Sequence, residues 1–138
     1  MPARDIYHDA VRNALLKDGW TITHDPLRLK WGTKDMYVDL GAEQFLGAEK
    51  EGRKIAVEIK SFVGASEVKD LEGAVGQFVV YSDVLRQVEP QRTLYLAVRQ
   101  ETWQEIFEEP IGKLLLENQR VRLLVFDEHT EAILRWTQ

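Results

Sequence analysis

An α/β sandwich, with a mixed central sheet flanked by helices, is the fold class predicted for this chain. Three features predict it. Apolar residues recur at helical spacing near the start and again over a long central stretch. Several short runs rich in β-branched residues lie between and after them. Turn residues, among them Asp25-Pro26, Glu51-Gly52 and Pro90, separate these segments. The 138 residues are read as one domain, 1–138, long enough to bury a substantial core.

The elements follow in order. Ala3 to Asp18 reads as a helix, with Ile6, Val11, Ala14 and Leu15 as its apolar stripe and Gly19 as its stop. Trp20 to His24 is a short strand ending at the Asp25-Pro26 turn. "LRLKWGTK" reads as a solvated basic loop around a half-buried Trp31. "MYVDLG" and "FLGAEK" read as strand material, and Glu51-Gly52 as a hairpin turn into the strand "RKIAVEIKSF". Ser66 can cap a helix running to about Gln87, with Val68, Leu71, Val75, Phe78 and Val79 on its buried side. "TLYLAV" is an apolar strand. "ETWQEIF" and "PIGKLLLENQ" are short helices, the second with Pro110 near its start. "RVRLLVF" and "AILRW" form a closing hairpin around "DEHTE".

Composition removes several functions. With no cysteine, disulfides, thiolate catalysis and cysteine-based zinc sites are excluded. His8, His24 and His129 show no metal-ligand spacing. No apolar run reaches the ~18 residues of a membrane span, and the start of the chain has no continuous apolar signal segment, so a cytoplasmic protein away from membranes is expected. A net charge of −5 argues against a simple nucleic-acid coat. It leaves room for an enzyme acting on nucleic acid, because carboxylates that hold a metal add negative charge.

The chemistry concentrates around "KIAVEIKSF". On a strand Ile55, Val57 and Ile59 face one way, and Ala56, Glu58 and Lys60 the other. A half-buried strand with a solvated charge pair would look the same, and Glu67-Val68-Lys69 repeats the Glu-x-Lys pattern. Asp39 supplies the missing company. If its segment neighbours the 54–62 strand, Asp39 and Glu58 converge at one end of the sheet, where two carboxylates repel unless a cation lies between them. Mg²⁺ or Mn²⁺ suits such a pair, with Asp35 as the alternative first ligand in "KDMYVD". Lys60 could then orient a metal-bound water or steady charge developing on a phosphate. In "LRLKWGTK", Arg28, Lys30 and Lys34 flank Trp31, a mix suited to phosphate contact and base stacking. "GAEKEGRK" lacks the lysine and following helix of a P-loop, and "GASEV" lacks the second glycine of a nucleophile elbow.

Asp39, then Glu58-Ile59-Lys60 on an apolar strand, then Gln77 and Tyr81 in "QFVVY", resembles the PD-(D/E)xK nuclease superfamily and the Q-x-x-x-Y pattern of its RecB-like members. The resemblance implies a restriction-endonuclease-like sandwich, with Asp39, Glu58 and the Ile59 backbone as metal ligands. It implies Lys60, Gln77 and Tyr81 as further members of the site. "YHDAVRNALLKDGW" resembles the opening helix of the resolvase-like branch, except that His8, with Asp9 beside it, stands where an acidic residue is usual. His8 and Asp9 read as surface residues or as supports behind the site.

Most of the chain is similar to the XisH family, through "MPARDIYHDAVRNALLKDGWTITHDPL", "DLGAE", "KIAVEIKSF" and "EEPIGKLLLENQRVRLLVFD". That resemblance implies a controlling factor for excision of the fdxN element, a site-specific DNA rearrangement during heterocyst differentiation. It also implies DNA, an XisI-like protein and a separate site-specific recombinase as partners, and leaves a homo-oligomer open. Two functions follow as expectations: a metal-dependent nuclease-fold protein that binds and hydrolyses DNA, or a catalytically silent accessory protein that holds XisI and the recombinase on DNA.

Overall fold

The computed structural model describes residues 5–45 and 52–137. Helix α1 (His8–Lys17) opens the chain, followed by strands β1 (Thr21–His24), β2 (Leu27–Trp31), β3 (Lys34–Val38), β4 (Leu40–Phe45) and β5 (Gly52–Ile59). The long helix α2 (Glu67–Val88) leads to β6 (Arg92–Arg99). A short helix α3 (Gln100–Thr102) then runs into a π-helical turn at Trp103–Phe107, followed by α4 (Pro110–Glu117) and the strands β7 (Leu123–Asp127) and β8 (Ala132–Trp136).

Six strands form one mixed sheet in the order β1-β4-β5-β6-β7-β8. Its centre, β5-β6-β7, is parallel, and the strands outside it pair antiparallel. Parallel neighbours need a crossover and are covered on both faces, which the two apolar clusters reflect. Ile55, Val57 and Ile59 point to one face, with Val11 and Leu15 of α1 and Trp20. Ala56 points to the other, with Leu71, Ala74, Phe78 and Leu85 of α2, and Phe107. The alternation expected along β5 is therefore real, and the sheet is flanked by helices on both sides.

Helix α2 begins where its cap was expected: the Ser66 hydroxyl accepts from the Lys69 N–H at 3.3 Å. Its buried side differs from the expected one. Leu71 and Phe78 face the core, Val75 is half-buried, and Val68 and Val79 are exposed, while Ala74, Val84 and Leu85 are buried instead. The stripe follows the sheet's surface rather than the most apolar side of the helix. In α1 the helix starts at His8, and Ile6, assigned to the stripe, is exposed. The proposed helix start at Ala3, most of "FLGAEK" and residue 51 of the expected turn lie outside the described residues.

The segment read as a basic loop is a hairpin. β2 and β3 pair antiparallel as a separate two-stranded sheet, with Leu27 opposite Val38 and Trp31 opposite Lys34. Leu27 and Leu29 are buried in the α2-side cluster, so apolar burial rather than turn composition holds the segment in strand form. The hairpin also changes the strand count: the strand that ends at Ile59 is the fifth, and "MYVDLG" is split between two sheets at Asp39.

Candidate functional site

Asp39 occupies the bend between β3 and β4, where the chain leaves the small sheet for the large one. Leu40 pairs with Val57, which brings Asp39 level with Glu58. Instead of a backbone ladder, side chains make the connection there. The Ile59 N–H donates to Asp39 Oδ2 at 2.7 Å, and the Asp39 N–H donates to Glu58 Oε1 at 3.3 Å. The two carboxyls are close enough to hydrogen-bond to each other through a shared proton. Lys60, one residue past the end of β5, places its Nζ 3.5 Å from Glu58 Oε2, and its own N–H is held by the Ala97 carbonyl at 3.0 Å.

Burial dominates the electrostatics of this pair. Glu58 is 6% exposed, and burial, followed by the charge of Asp39, pushes its carboxyl up to about 8 against the opposing pull of Lys60. Asp39 is also raised, again chiefly by burial, although the Ile59 N–H favours its ionised form. The half-buried Tyr81 hydroxyl is raised by burial and then by the charges of Glu58 and Asp39, which places it in the field of the pair.

Gln77 and Tyr81 share a face of α2 one turn apart. Gln77 lines, with Lys60, a cleft of about 480 Å³ that also takes in Asp5, Phe62 and Asp70. The Gln77 Oε1 is buried and has no hydrogen-bond partner among the described residues. The loop leaving β5 forms one wall of the cleft. Phe62 there adopts φ +52°, an uncommon conformation for an aromatic residue, with its ring edge-on to Phe107 at 6.1 Å. The Gly64 N–H ties the same loop to Asp70 Oδ2 at 2.9 Å.

Two carboxyls this close and this deeply buried suit a divalent cation that prefers oxygen, because the cation would let both ionise without mutual repulsion. The donor set therefore fits Mg²⁺ or Mn²⁺. Among the described residues no cluster of three or more His, Cys, Asp and Glu could complete the coordination, so water and backbone oxygen would have to. At Ile59 it is the backbone N–H that meets Asp39. Asp35 stands apart, on the hairpin, where its carboxylate accepts from Arg28 Nη2 at 2.9 Å and Nε at 3.1 Å.

The remaining expected site residues are distributed as follows. His8 is buried, its Nε2 is 2.7 Å from Asp25 Oδ1, and Arg12 Nε lies 3.3 Å from the other Asp25 oxygen. Asp9 is exposed. The basic set splits across the hairpin. Arg28 and Lys30 lie on one face, with Arg28 held by Asp35, while Trp31 and Lys34 share the other. Trp31, 53% exposed, overhangs Val80 and Val84 of α2.

Arg99 escaped the reading of the sequence. It ends β6 beside the site, its Nη2 donates to the Ser61 carbonyl at 3.0 Å, and its guanidinium lies 4.9 Å from the Tyr7 ring centroid. It thus pins the backbone that follows Lys60. The signal was present as a charged residue at the carboxyl end of a strongly apolar strand, the end of parallel strands where sites gather in open α/β sheets.

The family model described as XisH protein matches residues 1–134. Over 97% of this chain and 100% of the other, the structure is similar to the XisH family protein from Nostoc punctiforme PCC 73102, with 38% identity and a TM-score of 0.88. It is also similar to the fdxN element excision controlling factor protein from Anabaena variabilis, with 40% identity and a TM-score of 0.86 over 98% of this chain and 100% of that one. No match was found among curated proteins. The chain belongs to the XisH family.

Proposed function

We propose that this member of the XisH family is a controlling factor for excision of a DNA element and acts through a PD-(D/E)xK-type site on a restriction-endonuclease-like fold. The proximity of Asp39 and Glu58 carries this reading: they are joined through the Asp39 N–H and the Ile59 N–H, with Lys60 at 3.5 Å. A scaffold has no need of a buried pair of carboxyls that costs stability once both ionise. A cation-dependent phosphodiesterase needs such a pair.

Asp39 and Glu58 would hold Mg²⁺ or Mn²⁺, which when bound supplies Lewis-acid polarisation of a phosphate and a more acidic water. Lys60 presents its ammonium to charge that develops on the phosphate, an interaction stronger in the transition state than in the ground state. Gln77 offers a free carbonyl oxygen in the adjoining cleft and Tyr81 a hydroxyl in the field of the pair. Arg99 keeps the loop behind Lys60 in place through Ser61. His8, fixed by Asp25, sits on the α1 side of Asp39.

Purified protein with Mn²⁺ and branched, single-stranded or duplex DNA tests the proposal. Cleavage that Glu58→Ala abolishes supports it, and wild-type protein that leaves all three intact refutes hydrolysis. A second reading has its own support. Arg28 is neutralised by Asp35, the hairpin cations are split between two faces, and the net charge is −5. These features favour a catalytically silent accessory protein that holds an XisI-like protein and a site-specific recombinase on DNA. Retained excision with Glu58→Ala would select it.

A further inference from the structure

We propose that a second cleft, at the edge of the sheet opposite Glu58, binds a phosphate group. Glu58 and Lys60 lie at the carboxyl end of the parallel strands. The second cleft lies at their amino end, where Arg92 begins β6 and Arg122 immediately precedes β7. It has a volume of about 360 Å³ and is lined by Arg86, Arg92 and Arg122 together with Ser82, Thr93 and Gln119. Three arginines and a serine of α2 border one depression, and phosphate oxygens accept from guanidinium and hydroxyl donors.

The arginines are only partly consumed by the protein. Arg92 is buried, with its side chain 2% exposed; its Nε donates to Glu89 and its Nη1 to the Ile55 carbonyl at 2.9 Å. Gly41 makes room for this guanidinium: a Cβ there would lie 3.2 Å from Arg92 Nη1 and 3.0 Å from His24 Nδ1. Arg122 has only a marginal bond, from Nη1 to the Leu94 carbonyl at 3.5 Å, and a stacking contact with Tyr95 at 5.7 Å. Arg86 is exposed and pairs with Asp83.

The opposing charges are Glu89, Asp83 and the carboxyl end of α2, which would repel an anion. Two of the carbonyls there are already occupied, Leu85 by the Glu89 N–H at 2.8 Å and Glu89 by the Arg92 N–H at 2.9 Å. Three cations against two carboxylates leave the cleft positive on a chain whose net charge is −5. The phosphate could belong to a nucleic-acid backbone or be free in solution. The proposal is independent of any activity at Glu58.

Amide spectra of the full chain, titrated with inorganic phosphate at constant ionic strength, test it. Saturable shifts at Ser82, Thr93, Leu94 and Gln119 are expected, and Arg122→Gln should weaken them tenfold or more. The exposed Arg86→Gln provides a second variant if Arg122→Gln unfolds. A short duplex that moves the same resonances at far lower concentration would identify a nucleic-acid backbone, and Arg122→Gln should then flatten log K against log salt by about one. Phosphate shifts that the duplex neither reproduces nor displaces would identify a free phosphate. Absence of saturable shifts with both ligands, or binding that both variants leave unchanged, overturns the proposal.

Discussion

Glu58→Gln should make the protein more stable at alkaline pH and leave it nearly unchanged in mild acid. The folded-state value of Glu58 is pushed up to about 8 from an ordinary value of 4.5. Below about pH 4.5 the carboxyl is neutral in both folded and unfolded chains, so the stability it confers is fully present there. As pH rises towards 8 the unfolded chain ionises freely while the folded one resists, and that stability is lost. The interval from 4.5 to about 8, at about 1.36 kcal/mol per pH unit, corresponds to roughly 5 kcal/mol. Glutamine keeps an oxygen for the Asp39 N–H and supplies a permanent donor where the acid offers its proton to Asp39. Lys60, 25% exposed at its side chain, keeps its ammonium hydrated when the partner charge is removed. Urea unfolding at pH 5, 7 and 9 should therefore show the variant-minus-wild-type difference growing by several kcal/mol with pH. A difference that stays flat across this range would refute the account of Glu58.

Further predictions concern the cation, the lysine and the packing. Saturating Mg²⁺ or Mn²⁺ should raise wild-type stability by about 2.7 kcal/mol at a hundred times Kd. Asp39→Ala and Glu58→Ala should abolish that gain in thermal unfolding, whereas Asp35→Ala, on the hairpin with Arg28, should keep it. Lys60→Met should lower DNA cleavage about 10²-fold or more while calorimetry finds cation binding intact; equal cleavage by both proteins would remove Lys60 from the chemistry. Gly112→Ala would put a Cβ 2.1 Å from the Ile106 carbonyl oxygen, where the π-helical turn meets α4. Chemical denaturation should show a loss of about 1–3 kcal/mol from the overpacking.

Much of the architecture was readable because it depends on near neighbours in the chain. The alternation of Ile55, Val57 and Ile59 follows from the two-residue period of a strand, and the start of α2 from a hydroxyl three residues before an N–H. The closing hairpin and the two short helices followed the same local logic. The hairpin at Leu27–Val38 did not, because its charged tip and turn residues match a loop. Leu27, Leu29 and Val38 reveal a strand only once α2 lies beneath them. Val68 and Val79 mislead for the converse reason: periodicity marks an apolar side of α2, but the elements packed against the helix decide which part is covered.

By itself the sequence determined the order of elements, the two-faced character of β5 and the identity of the residues with chemistry to offer. Only the tertiary structure decided which of them meet. Asp39 reaches Glu58 because Leu40 pairs with Val57, and a slip of one residue would turn the entire strand face about. Arg28 is neutralised by Asp35 because Lys30 pairs opposite Asp35 across a turn that composition did not reveal. Arg99 reaches Ser61 because β6 lies parallel to β5, with a helix of 22 residues between them. These are contacts between distant parts of the chain. Their geometry follows from burying both faces of one sheet at once, a constraint that no local stretch of residues expresses.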